Sequence, residues 1–233
     1  MLSILTPSLR KARNNAKTIV CASNLKQIHL AFSMYLNDNN NDIFPLAYFG
    51  LDSEDNFGKF WYFGFEPAQS FSKPEGSRDL DRSQAKLYPY LDQYDSVEIC
   101  PAFPYSRPGY KPKYKTRWMT YGINSNLSQN LTLPGRKIVN FSKIKKLNQV
   151  VLFADTAMVN YWQKPASPSN PMYEEWHYVE SSGQPSVQFR HEGMANVLFC
   201  DGMVKKYKPQ PGTTDQMLPD AKVASLPANL KFK

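Results

Sequence analysis

The 233-residue chain contains no run of about 18 apolar residues, so no stretch of it reads as a membrane-spanning helix. It has three cysteines, Cys21, Cys100 and Cys200, and their wide spacing argues against a zinc site. One disulfide plus one buried thiol is the economical reading if the compartment is oxidising. Glycine is scarce beside proline, 11 against 18, which implies many fixed, extended connections. Nucleophile elbow, phosphate loop and paired metal motif are all missing, and there is no internal repeat. No acidic residue precedes Asp38.

What is present suffices for a sizeable core: 42% of residues are hydrophobic and 14% aromatic. The formal charge of +8 is compatible with nucleic acid, an anionic membrane surface or acidic glycans. It is spread along the chain without a recognisable binding motif, so nucleic acid is not an expected partner. The opening Met1-Leu2-Ser3-Ile4-Leu5 reads as the end of an apolar segment whose upstream part has been removed. The alternative is a fraying helix end.

The chain is organised around a long first helix, expected from Pro7 to Asn37. Thr6 can cap it, and proline is tolerated at the first helical position. Cys21, Leu25, Ile28, Phe32 and Tyr35 form one stripe in steps of four and three. Leu5, Leu9, Ala12, Ala16 and Ile19 form a second, while Arg10, Lys11, Arg13, Lys17 and Lys26 are set on the opposite side. About 30 helical residues span about 45 Å, longer than a small domain is wide. Asn37 to Asp42 favours turns and ends the helix. Asp38, Asn40 and Asp42 begin like a calcium loop, but Ile43 stands where glycine belongs and Phe49 where the closing acid belongs, so no bound calcium is expected.

Beyond the helix, the aromatics between Phe44 and Pro74 suggest either closure of an irregular core or a stacking platform for sugars or bases. Phe60 to Phe65 reads as one short strand, Arg78 to Gln93 as including a short helix, and Pro101 to Lys115 as an exposed loop. Arg117 to Asn124 alternates like a strand, and Gln149 to Ala154 is an apolar run typical of a buried one. Asp155 to Gly183 reads as a long connection. Three short strands then follow, Ser186 to Arg190, Ala195 to Cys200 and Met203 to Tyr207. Glu192-Gly193-Met194 joins the first pair, and Asp201-Gly202 joins the second as a two-residue turn with both residues at positive φ. The apolar end of the tail, Ala228 to Phe232, is placed along the sheet. The expected class is α+β: a long N-terminal helix over residues 1–42 packed on the antiparallel sheet of a β-rich head over residues 43–233, with a large loop-rich insertion.

Separated stretches then point to one family. Cys21, Asn24-Leu25-Lys26-Gln27, Ala31, Tyr35 and Asp38-Asn39, opening on Leu5-Thr6-Pro7-Ser8-Leu9-Arg10-Lys11-Ala12-Arg13, resemble bacterial prepilin-type proteins. Phe189-Arg190-His191, nine residues, then Asp201-Gly202 resembles their processing-associated domain. Leu87-Tyr88-Pro89-Tyr90-Leu91, Cys100-Pro101, Tyr121-Gly122-Ile123-Asn124 and Val151-Leu152-Phe153-Ala154-Asp155-Thr156 are similar to the same group. The family's Gly-Phe-Thr-Leu-Ile-Glu cleavage site is missing, and Met203 stands where a histidine is common.

The resemblance implies a non-enzymatic pseudopilin or pilin subunit with a pilin-like fold. Its helix would pack on other pilin-like subunits through the small residues Ala12, Ala16, Ala22 and Ala31. A missing upstream segment would anchor it in the inner membrane, with a periplasmic or extracellular head. A glycan- or polymer-binding module using loop aromatics is the alternative, and a DNA-uptake pilin a third reading. His191, Asp201, Gly202, Asn24, Lys26 and Gln27 are then motif residues with structural roles. The oxidising compartment so implied leads to a Cys21–Cys100 disulfide with Cys200 free. Cys21 lies on the stripe that should face the head, and Cys100 ends a short apolar run where the chain returns to it. Three unpaired thiols remain the opposing reading.

Catalysis is not expected. A strand from Ala195 to Cys200 holds His191 and Asp201 roughly 17 Å apart, at about 3.3 Å per residue. Asp201 then serves the turn, and the His191 ring bonds loop backbone. Glu174-Glu175 beside His177 reads as a polar loop rather than a metal cluster. No cofactor and no metal are expected.

Overall fold

In a computed structural model, residues 2–92 and 94–233 are described, with side chains from Thr6 onward except those of residues 93 and 94. Helix α1 runs Leu2–Asp38, so Pro7 lies inside it rather than opening it. It closes as its sequence dictates: Asn40 and Asn41 both take left-handed backbone, and the Asn41 N–H returns to the Leu36 carbonyl. The carboxylates of the half calcium loop part company there. Asp38 accepts from Tyr90 and Asp42 from Asn140.

The rest is β-rich: β1 (Ala47–Leu51), β2 (Phe57–Trp61), β3 (Gly64–Pro67), a short α2 (Tyr94–Val97), β4 (Tyr121–Asn124), β5 (Val151–Asp155), β6 (Met158–Asn160), β7 (Met172–Glu174), β8 (Tyr178–Val179), β9 (Val187–Gln188), β10 (Ala195–Phe199), β11 (Val204–Tyr207) and β12 (Val223–Ala224). The class is therefore α+β. The central sheet has the order β11-β10-β5-β4-β8 and is mixed, because β8 lies parallel to β4. Three smaller sheets join β1-β2-β3, β12-β9 and β6-β7.

The expected stripe of α1 is the covered one. Cys21, Leu25, Ile28 and Phe32 are fully buried among residues of the sheet and the aromatic segment. Phe32 meets Phe44 and Phe141 edge-on, each at 5.7 Å between ring centroids. Edge-on ring pairs of this kind contribute about 1 kcal/mol beyond the area they bury. Val151–Asp155 is wholly buried, and the tail lies along it through Lys231 and Phe232, as expected.

Local readings fail where turns or buried charge intervene. Phe60 to Phe65 is two strands, since Tyr62 and Phe63 turn the chain between them. Arg78 to Gln93 holds single turns of 3₁₀ helix, Arg82–Gln84 and Tyr88–Tyr90, with Pro89 interrupting regular hydrogen bonding. The connection from Asp155 contains β6, β7 and β8. The Pro101 to Lys115 loop is exposed only in part: Pro101, Ser106 to Pro108, Pro112 and Lys115 are exposed, but Phe103, Lys111, Lys113 and Tyr114 are buried. Lys111 is held by Glu75 at 2.7 Å and by Glu174. Burial presses the Lys113 ammonium below its ordinary range.

The terminal meander also differs from its expected pairing. Strand β9 pairs with β12 instead of β10. The turn with two positive φ values is Glu192-Gly193, closed by reciprocal backbone bonds between His191 and Met194. Between β10 and β11, only Gly202 has positive φ, and the Gly202 N–H returns to the Phe199 carbonyl. That is a three-residue loop with a glycine bulge rather than a two-residue turn.

Candidate functional site

The residues quoted for the His-nine residues-Asp-Gly motif gather where α1 meets the central sheet. On α1, Thr18 and Cys21 sit three positions apart, hence on one face. Cys21 is bonded to Cys100, with Cα atoms 5.2 Å apart, closing the expected disulfide. Cys200 is a buried free thiol, its pKa pushed up to about 12 by burial and by the Asp201 charge. Asn24, one turn on, donates to the Ser96 and Ile99 carbonyls at 3.4 Å each, tying the segment before Cys100 to the helix.

His191 is buried against this junction. Its Nδ1 lies 3.2 Å from Thr18 Oγ1, and its Nε2 lies 3.2 Å from Asp155 Oδ2 and 3.6 Å from Cys100 Sγ. The ring thus engages side chains, not the loop backbone that the sequence suggested. Its carboxylate partner is Asp155, at the end of β5, rather than Asp201. Asp155 also accepts from Arg190 Nη2 at 2.7 Å and from the Asn196 N–H at 2.6 Å. Burial works to raise this carboxyl, but Arg190 and His191 outweigh it and hold it below its ordinary range. Asp155 was quoted for the resemblance without a role. The available signal was an acid ending a wholly apolar strand, since a buried carboxylate needs partners.

The other end of the motif touches the same helix. Asp201 Oδ1 accepts from the Met203 N–H, so Asp201 is the turn residue expected. Gly202, at φ +85°, leaves room for His29, whose ring would sit 2.8 Å from an added Cβ. His29 Nε2 in turn lies 3.3 Å from the Cys200 carbonyl oxygen. Thr18 to His29 covers about 16 Å of helix, and the five residues of β10 cover roughly 17 Å. The spacing therefore places one strand alongside the helix with a contact at each end. Lys26 and Gln27 are exposed, and Gln27 borders an open cavity of about 1030 Å³ together with Asn24 and Arg82.

Cys21, Cys100 and His191 offer ligand atoms within 4.8 Å of one another, the one such group of three among the described residues. A metal needs thiolates, however, and the disulfide consumes both sulfurs. Glu174, Glu175 and His177 form no solvated loop. All three are buried on different partners: Glu174 on Lys111, Glu175 on Tyr105, Tyr110 and the Trp118 N–H, and His177 among Trp61, Phe63 and Trp118. Burial raises the Glu175 carboxyl to about 7 despite its two tyrosine donors.

Six aromatics of the Phe44 to Pro74 segment close the core: Phe44, Phe60, Trp61, Tyr62, Phe63 and Phe65. Phe49, Phe57 and Phe71 do not. They are exposed, with Phe49 stacked on Phe57 at 5.9 Å. No family model, curated protein or solved structure matches the chain.

Proposed function

We propose that the chain is a non-enzymatic, pilin-like or pseudopilin subunit of a secretion or pilus-type assembly. Its helix would pack against other such subunits, an upstream segment would anchor it in the inner membrane, and the β-rich head would stand in the periplasm or outside the cell. The observation that carries this reading is the outward side of α1. Leu9, Ile19, Val20, Leu30 and Met34 are 66%, 70%, 47%, 63% and 48% exposed. At 100° per residue they fall within an arc of about 100°, opposite the covered stripe. Ala12 and Ala16 are exposed in the same arc. An apolar stripe along a helix about 55 Å long, interrupted by the exposed Ser23 and Gln27, is a surface for like helices. Within the described residues no helix is long and apolar enough to cross a membrane, so α1 would serve contacts beyond the anchor. The His191–Asp201 motif, on this reading, holds the helix in register with the head.

Single cysteines at Ile19 and Leu30, treated with a short bis-maleimide in the producing cells, test the reading. A linked dimer is expected from each, since one accessible thiol per chain can join only two copies. Cysteine at the exposed Lys206 serves as the control. Equal yields at all three positions would defeat the proposal.

One observation favours the alternative, a glycan- or polymer-binding module: the exposed Phe49, Phe57 and Phe71, with Lys59 5.6 Å from the Phe49 ring centroid. Polysaccharide retention lost in Phe49→Ala and Phe57→Ala, without a change in helix cross-linking, would select it.

A further inference from the structure

Between α1 and the turn carrying His191 lies a cavity of about 350 Å³, at the small end of the range for ligand sites. Besides Arg190, four cations among the described residues border it: Arg10 and Lys17 from the helix, and Arg107 and Lys222 from two loops. Arg10 and Lys17 are seven positions apart, two helical turns, so both come from one face. None of the four has an ion-pair partner among the described residues. Glu192 is the one carboxylate on the border.

Polar groups on this lining are buried. Thr18 and His191 are 5% and 4% exposed, and the Arg190 side chain 3%. The Arg190 guanidinium spends Nη1 on Thr156 and Gln188, and Nη2 on Thr120 and Asp155. Its Nε is buried and finds no acceptor among the described residues. Since Asp155 balances Arg190, the cavity is left with four cations against Glu192.

We propose that this cavity binds a phosphoryl group, carried by free phosphate or by the headgroup of an anionic phospholipid. Free phosphate with close to two negative charges, or a phosphodiester headgroup with one, meets the charge excess, and arginine donors match its oxygens in geometry. The phosphate form is independent of the assembly reading; only the phospholipid form draws on it, since Arg10 and Lys17 lie toward the helix end that the anchor would extend.

Two measurements on the full chain decide. One is calorimetric titration with inorganic phosphate. The other is co-sedimentation with vesicles of phosphatidylcholine, alone or in equal mixture with phosphatidylglycerol. The variants are Arg107→Gln with Lys222→Gln, both exposed, and Arg10→Gln as a second surface change. Lys137→Gln with Lys143→Gln, exposed and outside the cavity, controls for net charge. Expected is one phosphate per chain, weakened about tenfold or more in each cavity variant and unchanged in the control. Phosphatidylglycerol-dependent sedimentation, lost in the cavity variants while free phosphate fails to bind, supports the same site with a lipid source. The proposal falls if wild type binds neither probe, or if cavity variants and control weaken binding equally.

Discussion

Helix α1 carries two apolar stripes of similar make-up on opposite sides, and their surroundings differ completely. The inner one, through Cys21, Leu25, Ile28 and Phe32, has essentially no exposed surface. The outer one, through Leu9, Ile19, Val20, Leu30 and Met34, is between 47% and 70% exposed. Helical spacing alone does not distinguish them. What distinguishes them is cross-linking in the broad sense: the inner side has a disulfide, edge-on aromatics, and the Thr18–His191 and His29–Gly202 contacts. A stripe so held makes the fold, and on the proposed reading the stripe left bare serves another molecule. The predictions that follow test this contrast from its strongest bond to its weakest.

The Cys21–Cys100 bridge closes a separation of 79 residues, so its loss carries the largest expected effect. Cys21→Ala with Cys100→Ala should destabilise the fold by about 4 kcal/mol in the chain-entropy model, read by urea unfolding. A loss below about 1 kcal/mol would mean that the middle of the chain holds to the helix without it.

Next come the inner side chains themselves. Phe32→Ala should cost about 4 kcal/mol and Leu25→Ala about 3 kcal/mol, from lost burial plus the cavity left behind. Thermal midpoints unchanged within error would break the contrast at its root.

The motif contacts are smaller and have a built-in control. Gly202 and Gly193 both lie at positive φ, +85° and +80°, but an added Cβ meets His29 at the first and nothing within 4 Å at the second. Gly193→Ala should cost about 1 kcal/mol, for backbone strain alone, and Gly202→Ala about 2 kcal/mol. Equal costs would remove the helix contact from the motif's role. The same junction has an acid signature. Because the Asp155 carboxyl is held below its ordinary range, its stabilisation is present above about pH 4 and is lost as pH falls through its lowered folded value. His191→Gln should therefore move acid unfolding to higher pH.

How much of this was legible depended on the range of the signal. The helix, the inner stripe, the Asn-rich stop and the buried run at Val151 were readable because each rests on neighbours within four residues. The Cys21–Cys100 pairing followed from the resemblance and its compartment. Pairings across the sheet were not readable: nothing local in Ser186 to Arg190 says that Val187 will meet Ala224 rather than β10. Buried charge was misread for the same reason. Lys111 and Lys113 look like loop cations until Glu75 and Glu174, distant in sequence, are beside them. Asp155 was visible as an acid in an apolar run, but its partner His191 lies 36 positions later.

The smallest expected effect on stability is the most telling for function. Leu9→Ala and Ile19→Ala remove side chains that are 66% and 70% exposed, so little buried area is lost and no cavity forms. Both fall on the outer side, where alanine is also the better helix former. Each should change unfolding free energy by no more than about 0.5 kcal/mol, the range of ordinary surface substitutions. Self-association should respond where stability does not. At concentrations where the wild-type chain sediments partly as dimers or larger species, the double variant should sediment as monomer if, as proposed, like helices meet through this stripe. The two readouts separate the possible failures. A stability cost above about 1 kcal/mol would show that the outer stripe has a partner within its own chain. Unaltered association at unaltered stability would show that the stripe is bare without serving assembly, and the contrast between the two sides of α1 would lose its functional meaning.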